Sequence, residues 1–193
     1  MNSVAEIETI SPERSVLDAA DRLYYERGIA AVSMSEIRDS ADVSMRRLYM
    51  LYPSKRDLVA AWLSDRHLRW MTWFTEAVDR HVCQGADPVL ATFDALEEWV
   101  SSPEYRGCAF INSIAESAEI DDSHRGIISN HKRELIAYIA GLTEAAHPGS
   151  PPWLSDVMGV LIDGAIVQSA IFKTTTPVVA ARAAATSLIG KFQ

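Results

Sequence analysis

The sequence predicts an all-α protein of about nine helices. Signals that start and stop helices recur along its 193 residues, and apolar residues recur at three- and four-residue spacing. No segment alternates apolar and polar residues for long enough to indicate a strand. A hydrophobic fraction of 48% and a charged fraction of 23% are typical of globular proteins and exclude a disordered or collagen-like chain.

The first two helices are defined by their ends. Residues 11–13 (Ser-Pro-Glu) combine a cap, a proline at the first helical position and an acidic first turn. The apolar pattern that follows ends at Gly28, a typical C-terminal stop. Residues 33–36 (Ser-Met-Ser-Glu) form a capping box that opens a second, short helix. We expect Asp42 in the turn after it, because aspartate tolerates the left-handed conformation.

The next helices complete a recognisable motif. Ser44 caps a third helix, whose Leu48 we expect in the core, and Pro53 ends that segment. A second capping box at residues 54–57 starts a long helix that runs to about residue 82. Two short helices joined by a tight turn are the helix-turn-helix pattern, so residues 33–52 predict that motif.

Five further helices are predicted in the remainder. They cover about residues 87–100, 104–118, 123–148 and 153–173, with a last one beyond Pro177. The clearest loop is residues 146–152 (AHPGSPP). Residues 157–172 are apolar, but Asp163 and Gln168 interrupt them and they fall short of the roughly 20 residues of a membrane span, so we expect no membrane association.

Charge is distributed unevenly along the chain. The net charge is −8, which argues against a protein that coats nucleic acid non-specifically. Residues 1–43 carry four basic and nine acidic residues, whereas residues 44–58 carry four basic residues and one acidic residue. Positive charge is therefore focused on the second helix of the motif and the start of the next, where helix N-termini also favour phosphate. A solvated helical corner is the plainer interpretation of the same pattern.

Residues 28–58, GIAAVSMSEIRDSADVSMRRLYMLYPSKRDL, resemble the DNA-binding signature of tetracycline-repressor-like (TetR family) transcriptional regulators. The positions that match in spacing are Ser33, Met34, Ile37, Ala41, Val43, Ser44, Leu48, Tyr49, Tyr52, Ser54, Lys55 and Leu58. The resemblance implies a helix-turn-helix DNA-binding domain over residues 1–54. It also implies a helical effector-binding and dimerisation domain over residues 55–193.

The same resemblance assigns DNA contacts by position. The implied DNA-binding residues are Ser33, Ser44, Met45, Arg46, Arg47, Tyr49, Met50 and Lys55. Ser33, Tyr49 and Lys55 would hold phosphates, which set register, while the recognition helix reads base edges. Arg46 or Arg47 would bind a guanine bidentately.

This sequence departs from the family pattern at four positions. Asp42 and Arg46 stand where the family usually has glycine, Arg47 where it has threonine or serine, and Leu51 where it has histidine or an aromatic residue. Two bulky cations in the first turn of the recognition helix change which bases are read. The operator sequence therefore cannot be taken from relatives.

For the C-terminal part, the resemblance implies a ligand pocket and a homodimer formed through the last two helices. Our candidate pocket lining is Trp70, Phe74, Trp99, Phe110 and Ile114. Ordinary core positions are the alternative for each of these residues. The last helix is rich in small residues, which allow close approach either to a second copy or within one chain.

The sequence does not predict catalysis, a metal site or a disulfide. The sequence holds no catalytic motif, so we expect no enzyme, no catalytic residue and no cofactor. His124 and His131 lie seven residues apart, about 10 Å along a helix, so we expect no metal site and interpret the segment as a solvated acidic loop. Cys83 and Cys108 form no disulfide framework, which fits a reducing cytoplasm, and residues 1–10 do not form a secretory signal. We expect Cys108 to be a buried structural residue with no cationic neighbour beyond Arg106.

The leading hypothesis is a one-component transcriptional regulator, a repressor that binds a pseudo-palindromic operator as a dimer. A small, largely apolar effector would bind the body, move the helix of residues 54–82 and release the double-stranded DNA. One alternative is a helical small-molecule-binding protein or enzyme with a vestigial DNA-binding motif. Another is a constitutive DNA-bound protein that responds to a protein partner.

Overall fold

The computed structural model describes residues 11–116 and 120–192. These residues form nine helices and contain no strand, so the predicted all-α fold is confirmed. The expectation about residues 1–10 lies outside the described part of the chain. The helices are α1 (Pro12–Arg27), α2 (Met34–Ala41), α3 (Met45–Leu51), α4 (Lys55–Cys83), α5 (Ala91–Val100), α6 (Ala109–Ala115), α7 (Asp122–Ala146), α8 (Trp153–Phe172) and α9 (Thr176–Ile189).

The first three helices pack on one another and on α4, and they contribute to the apolar core of the protein. α1 contacts α2 and α4, and α2 contacts α3. Val16, Ile37 and Leu48, one from each of these helices, are fully buried. Because Leu48 is the buried residue of a seven-residue helix, it fixes α3 on one side and leaves the opposite side in solvent.

The remaining helices form a larger bundle, which α4 joins to the N-terminal unit. α4 has 29 residues, about 44 Å at 1.5 Å per residue, and packs against α1, α5 and α7. α7 packs on α8, which packs on α9, and α5 contacts both α8 and α9. One continuous helix therefore connects the two parts.

Two predicted helices in the bundle begin later than expected. The helix predicted from residue 104 to 118 covers only Ala109–Ala115, and residues 117–119 lie outside the described residues. Residues 101–108 form a loop instead, because their polar groups bond distant partners: the Arg106 N–H donates to the Tyr25 hydroxyl at 2.9 Å, and Gly107 has φ 88°. The helix predicted from residue 87 starts at Ala91, since Asp87 caps a preceding turn through the Val89 N–H at 2.9 Å.

α8 extends four residues beyond the apolar stretch of residues 157–172, at its N-terminal end. It has 20 residues, and by length and composition it is the one helix in the described ranges that could cross a membrane. The shorter apolar stretch of the prediction, residues 157–172, lies inside this helix. In the fold, 44% of the most apolar 18-residue stretch of α8 is buried. The helix contacts both α7 and α9. Core helices of this kind pass the same composition test.

Candidate functional site

The helix-turn-helix is held together by local caps. The Ser33 hydroxyl accepts from the Glu36 N–H at 3.3 Å, and the Glu36 carboxylate accepts from the Ser33 N–H at 2.8 Å, which confirms the predicted capping box. These bonds from Ser33, together with Arg27, lower the pKa of Glu36 to about 2. Asp42 ends α2 in the left-handed conformation with φ 53°, and Ser44 caps α3 through the Arg47 N–H at 3.1 Å. Both predictions are confirmed, and together they fix the angle of α3.

The outer surface of α3 is cationic and open. Arg46 and Arg47 are exposed, and neither makes an ion pair with any described residue. Tyr49 is 46% exposed and Met50 is 65% exposed on the same short helix. Ser44 is also exposed, although its hydroxyl already accepts the cap bond. α3 thus presents, beside a phenol, two guanidinium groups that no described residue neutralises.

Three other predicted DNA-binding residues are placed differently: Met45 and Lys55 are partly buried, and the exposed Ser33 is engaged in its own cap. Met45 is partly buried and packs on the apolar core, so its side chain does not stand free on the outer face. The Ser33 hydroxyl already donates to Glu36 at 2.7 Å, so a phosphate there would meet the α2 N-terminus more readily than this hydroxyl. Lys55 begins α4 and is partly buried.

Aromatic rings gather where α4, α5, α6 and α7 meet. Trp70 stacks on Phe74 with ring centroids 4.7 Å apart and meets Trp99 edge-on at 5.5 Å. Phe110 stacks on His131 at 3.8 Å. The structure therefore brings together four of the five residues predicted to line a pocket, although Phe74 is fully buried and lines neither cavity described below.

Ile114 does not join this cluster. It is 42% exposed near the end of the seven-residue α6 and lines none of the cavities described below. The helix ends one residue after Ile114, and its last positions face solvent. Including Ile114 in the pocket lining is not supported by its position.

The cluster borders two spaces. An open groove of about 400 Å³ lies between α4 and α5, and its walls include Trp70, Trp73 and Trp99 with the guanidinium groups of Arg66 and Arg69. A nearly closed cavity of about 10 Å³ lies deeper. Its wall residues include Trp70, Trp99, Phe110, Cys108, His131 and Lys132. The Trp70 indole N–H is buried without a hydrogen-bond partner among the described residues, so a ligand acceptor would satisfy it.

Two histidines of α7 lie inside the protein, which corrects the interpretation of their segment as a solvated loop. His131 is 2% exposed, and its Nδ1 lies 3.0 Å from Nδ1 of His67 on α4. Burial, with Lys132 and His67 beside it, lowers the pKa of His131 to about 3. His124 is fully buried and its Nε2 lies 3.0 Å from the Arg56 carbonyl oxygen. The seven-residue spacing of the two histidines was the signal that one face of α7 packs on α4.

Cys108 is buried, as predicted, but its surroundings differ from the expectation. The Lys132 ammonium lies 4.0 Å from the Cys108 sulfur and pairs with Asp163. The prediction that Cys108 has no cationic neighbour beyond Arg106 is therefore wrong, because α7 and α8 bring a lysine and its counter-ion to the start of α6. Local sequence patterns could not predict this contact, because Cys108 and Lys132 are 24 residues apart.

Residues 16–62 match the family described as "Bacterial regulatory proteins, tetR family". The chain belongs to the tetR family. Over 185 residues it is 22% identical to the HTH-type transcriptional repressor NemR of Escherichia coli strain K12, an overlap of 92% of each chain. Proteins of this family are transcriptional regulators, and the chain is one of them.

Solved structures of the family share the fold over almost the whole chain. A TetR-family transcriptional regulator from Streptomyces coelicolor superposes with a TM-score of 0.80 at 23% identity, covering 94% of this chain and 90% of that one. The reduced form of E. coli NemR gives a TM-score of 0.79 at 21% identity, covering 92% and 97%. The TetR fold therefore includes the body as well as the helix-turn-helix.

In this TetR-family regulator, the loop before α6 and the end of α6 contact α1 and the α1–α2 connection. The Tyr25 hydroxyl at the end of α1 donates to the Gly107 carbonyl at 2.8 Å and accepts from the Arg106 N–H. The Glu116 carboxylate accepts from the Ala30 N–H at 3.0 Å in the α1–α2 connection. These bonds tie α6, whose Phe110 borders the aromatic cavity, to the helices that position α3.

A second set of contacts ties the start of α7 to the start of α4. Arg56 pairs with Asp121 at 3.0 Å, and His124 contacts both the Arg56 carbonyl and the Asp121 carboxylate. Hydrogen bonds from Ser123 and His124 hold the pKa of Asp121 far below its usual range, so this carboxylate stays charged. The C-terminal bundle is therefore bonded to the N-terminal helices through α6 and to the start of α4 through α7.

Proposed function

We propose that this regulator is a cytoplasmic repressor that binds a pseudo-palindromic operator as a homodimer and is released by a small, largely apolar effector. Residues 1–54 form its DNA-binding domain, and residues 55–193 form its effector-binding and dimerisation domain. The observation that carries the proposal is the outer surface of α3, where two exposed arginines have no ion pair among the described residues. Unneutralised guanidinium groups on a short, capped helix suit the major groove.

We assign the recognition surface as follows. Arg46 and Arg47 contact base edges or phosphates from the first turn of α3, and the Tyr49 hydroxyl contacts the backbone. Met50 supplies apolar contact in the groove. Met45 packs on the core and thereby fixes how far α3 lies from the protein interior. Ser33, Ser44 and Lys55 lie at helix N-termini, where partial positive charge favours phosphates.

Dimerisation is supported by exposed apolar residues on the last two helices. Val160 is 72% exposed, Val167 41% and Ile171 65%, and their spacing of seven and four residues places them on one face of α8. On α9, Val179 is 52% exposed next to a run of small residues. A twofold pairing of these faces buries them and places two recognition helices on half-sites about 34–36 Å apart or a multiple of that distance.

The effector is proposed to enter the groove beside Trp70 and Trp99 and to reach the buried Trp70 N–H. Indole walls suit a flat apolar molecule, and one acceptor group on it would pair with that donor. The nearly closed cavity behind the groove must open, which moves α4 or α6. A tenfold loss of operator affinity needs about 1.4 kcal/mol of coupling between the two sites.

The test of DNA binding is selection of genomic fragments by the purified protein at about 150 mM salt, followed by footprinting. We expect a short pseudo-palindrome with two half-sites. Arg46→Ala should lower operator affinity and reduce the slope of log affinity against log salt by about one if it contacts a phosphate, or relax specificity at one base if it reads a guanine. Tyr49→Ala should weaken binding to all sequences alike.

The matched control is Arg133→Ala, which removes an exposed arginine from α7 with the same change in net charge. It should leave operator affinity unchanged, because α7 lies in the body. If the α3 and α7 variants lose affinity equally, total charge accounts for binding and the assigned surface is wrong. If no fragment is enriched by intact dimer, the alternative of a vestigial motif on a small-molecule-binding protein takes its place.

The dimer surface is tested by light scattering after size-exclusion chromatography. Val167→Glu places a charge in the proposed interface and should give monomers with weakened operator binding. Leu68→Glu is the control, since Leu68 is 65% exposed on α4, outside that surface. A Val167→Glu protein that remains dimeric would refute this interface.

A further inference from the structure

A second, polar cavity lies away from the aromatic cluster. It measures about 730 Å³ and separates the α5–α6 loop from the α8–α9 loop. It shares Ser102 with the aromatic groove, but its walls are of a different kind. Two cations and five serine and threonine residues line it, and none of its lining residues carries a carboxylate. This volume lies within the range of about 300–1,000 Å³ that is typical of small-molecule sites.

The two cations come from opposite walls. Arg106 belongs to the α5–α6 loop, where its guanidinium donates to the Pro103 and Tyr105 carbonyl oxygens. Those bonds hold the group in place without neutralising it. Lys173 ends α8 and is exposed, and neither cation forms an ion pair with any described residue. Two positive charges therefore face one cavity with no counter-ion from the described chain.

A buried hydroxyl in the same cavity also lacks a partner. Ser169 is 1% exposed, and its Oγ makes no hydrogen bond with the described residues. A buried hydroxyl without a partner is costly, so its occurrence at the wall of a cavity points to a polar ligand. The Tyr105 hydroxyl, which also lines the cavity, donates its hydrogen to the Ile166 carbonyl at 2.6 Å. Its oxygen can therefore act toward a ligand only as a hydrogen-bond acceptor.

We propose that this cavity binds a phosphorylated, hydroxyl-bearing small metabolite such as a sugar phosphate. The phosphate lies between Arg106 and Lys173, where a guanidinium and an ammonium together match its charge and its several acceptor oxygens. The Ser169 hydroxyl donates to the same group or to a ligand hydroxyl. Because the cavity is larger than a phosphate ion needs, the serine and threonine hydroxyls of its walls pair with the organic part of the ligand.

The partial charges at the ends of the neighbouring helices do not make the cavity selective for an anion. α9 begins at this cavity and its N-terminus favours an anion, but α5 and α8 end beside it and their C-termini oppose that effect. The side-chain charges therefore carry the selectivity. This site uses none of the residues assigned to the operator contact and shares only Ser102 with the walls of the proposed effector groove, and its two cations and Ser169 are not assigned to either of those sites.

The test is calorimetric titration of the full-length protein, without DNA, using ribose 5-phosphate, glucose 6-phosphate, AMP, inorganic phosphate and unphosphorylated ribose as probes. At least one phosphate ester should bind saturably and more tightly than inorganic phosphate, and ribose should not bind. Lys173→Asn should weaken that binding about tenfold, and Lys173→Arg should retain it. Asparagine suits this position because Lys173 has φ 53°, a left-handed conformation that asparagine tolerates.

Two further variants complete the design. Ser169→Ala removes the buried hydroxyl without a change in charge and should weaken binding several-fold. Lys191→Asn is the matched control, since it removes an exposed lysine outside the cavity, and it should bind like the original protein. Chromatography should show the same oligomeric state for every variant.

Several results would overturn the proposal. It fails if no phosphate ester binds saturably, or if Lys173→Asn and Lys191→Asn bind the esters equally well. It also fails if Lys173→Asn leaves the esters bound but lowers affinity for DNA, because Lys173 would then bind phosphates of the DNA backbone. None of these results changes the outcome expected for Arg46 or Val167, so this proposal and the proposed function can fail separately.

Discussion

Acidification should destabilise this protein through His131. The pKa of His131 is about 3 in the folded state, because the ring is buried between Phe110 and Trp70 with Lys132 and His67 nearby. In the unfolded chain the ring titrates at its ordinary pKa of about 6.5. The folded pKa is the lower one, so the stability contributed by neutral His131 is fully present above about pH 6.5 and is lost as the pH falls from there toward 3.

The magnitude follows from the number of protons bound. Between about pH 7.5 and pH 5.5 the unfolded histidine takes up nearly one proton while the folded one takes up almost none, which costs about 1.4 kcal/mol. The result does not depend on the folded pKa in detail, since any value well below 5.5 gives the same number. For a chain of 193 residues this corresponds to a fall of about 3–6 °C in the midpoint temperature.

The assay is urea unfolding followed by tryptophan fluorescence, at several pH values and one fixed protein concentration. His131→Gln removes the titrating group and retains a polar side chain toward His67. Its free energy of unfolding should start lower at neutral pH, because the stacking on Phe110 is lost, but should fall by about 1.4 kcal/mol less on acidification. His81→Gln removes a different histidine and should keep the acid loss that is due to His131. Equal pH slopes in His131→Gln and the original protein would refute the reasoning.

Three other substitutions test the packing by the same urea unfolding. Ser33→Ala should cost about 1 kcal/mol because α2 loses its capping box, and no change would mean that α2 is held by packing alone. Leu48→Ala should cost about 2–5 kcal/mol, because it leaves a cavity where a fully buried side chain fixes α3. Ile114→Ala should change stability by less than about 0.5 kcal/mol, because that side chain is 42% exposed; a larger loss would place it in the core after all.

The N-terminal half of the fold follows from the sequence because its determinants are local. The capping box of α2, the left-handed Asp42 and the cap at Ser44 each depend on residues within four positions of one another. Physical rules for helix ends are therefore enough to place them. Much of the exposed surface of α3 follows as well, since Leu48 must face inward, but the packing of Met45 on the core did not follow from the local pattern.

The bundle was harder to predict because its decisive contacts join distant residues. The start of α6 depends on a bond between the Arg106 N–H and the Tyr25 hydroxyl, 81 residues away, so no local pattern gives it. His131 is buried because α7 packs on α4, and composition alone suggested a solvated segment. The polar cavity is formed by two loops that periodicity does not bring together.

α4 is the element through which an effector would act on DNA binding. Trp70, at the proposed effector groove, lies 15 residues after Lys55, which is about 22 Å along the helix. A tilt of only about 5° at Trp70 would move Lys55 by about 2 Å, enough to disturb phosphate contacts in both half-sites of a dimer. The bonds of Arg56 to Asp121 and of Glu116 to the Ala30 N–H oppose such a tilt. An effector must therefore supply the free energy that breaks or rearranges them, and weakening either bond should lower the effector concentration needed for release.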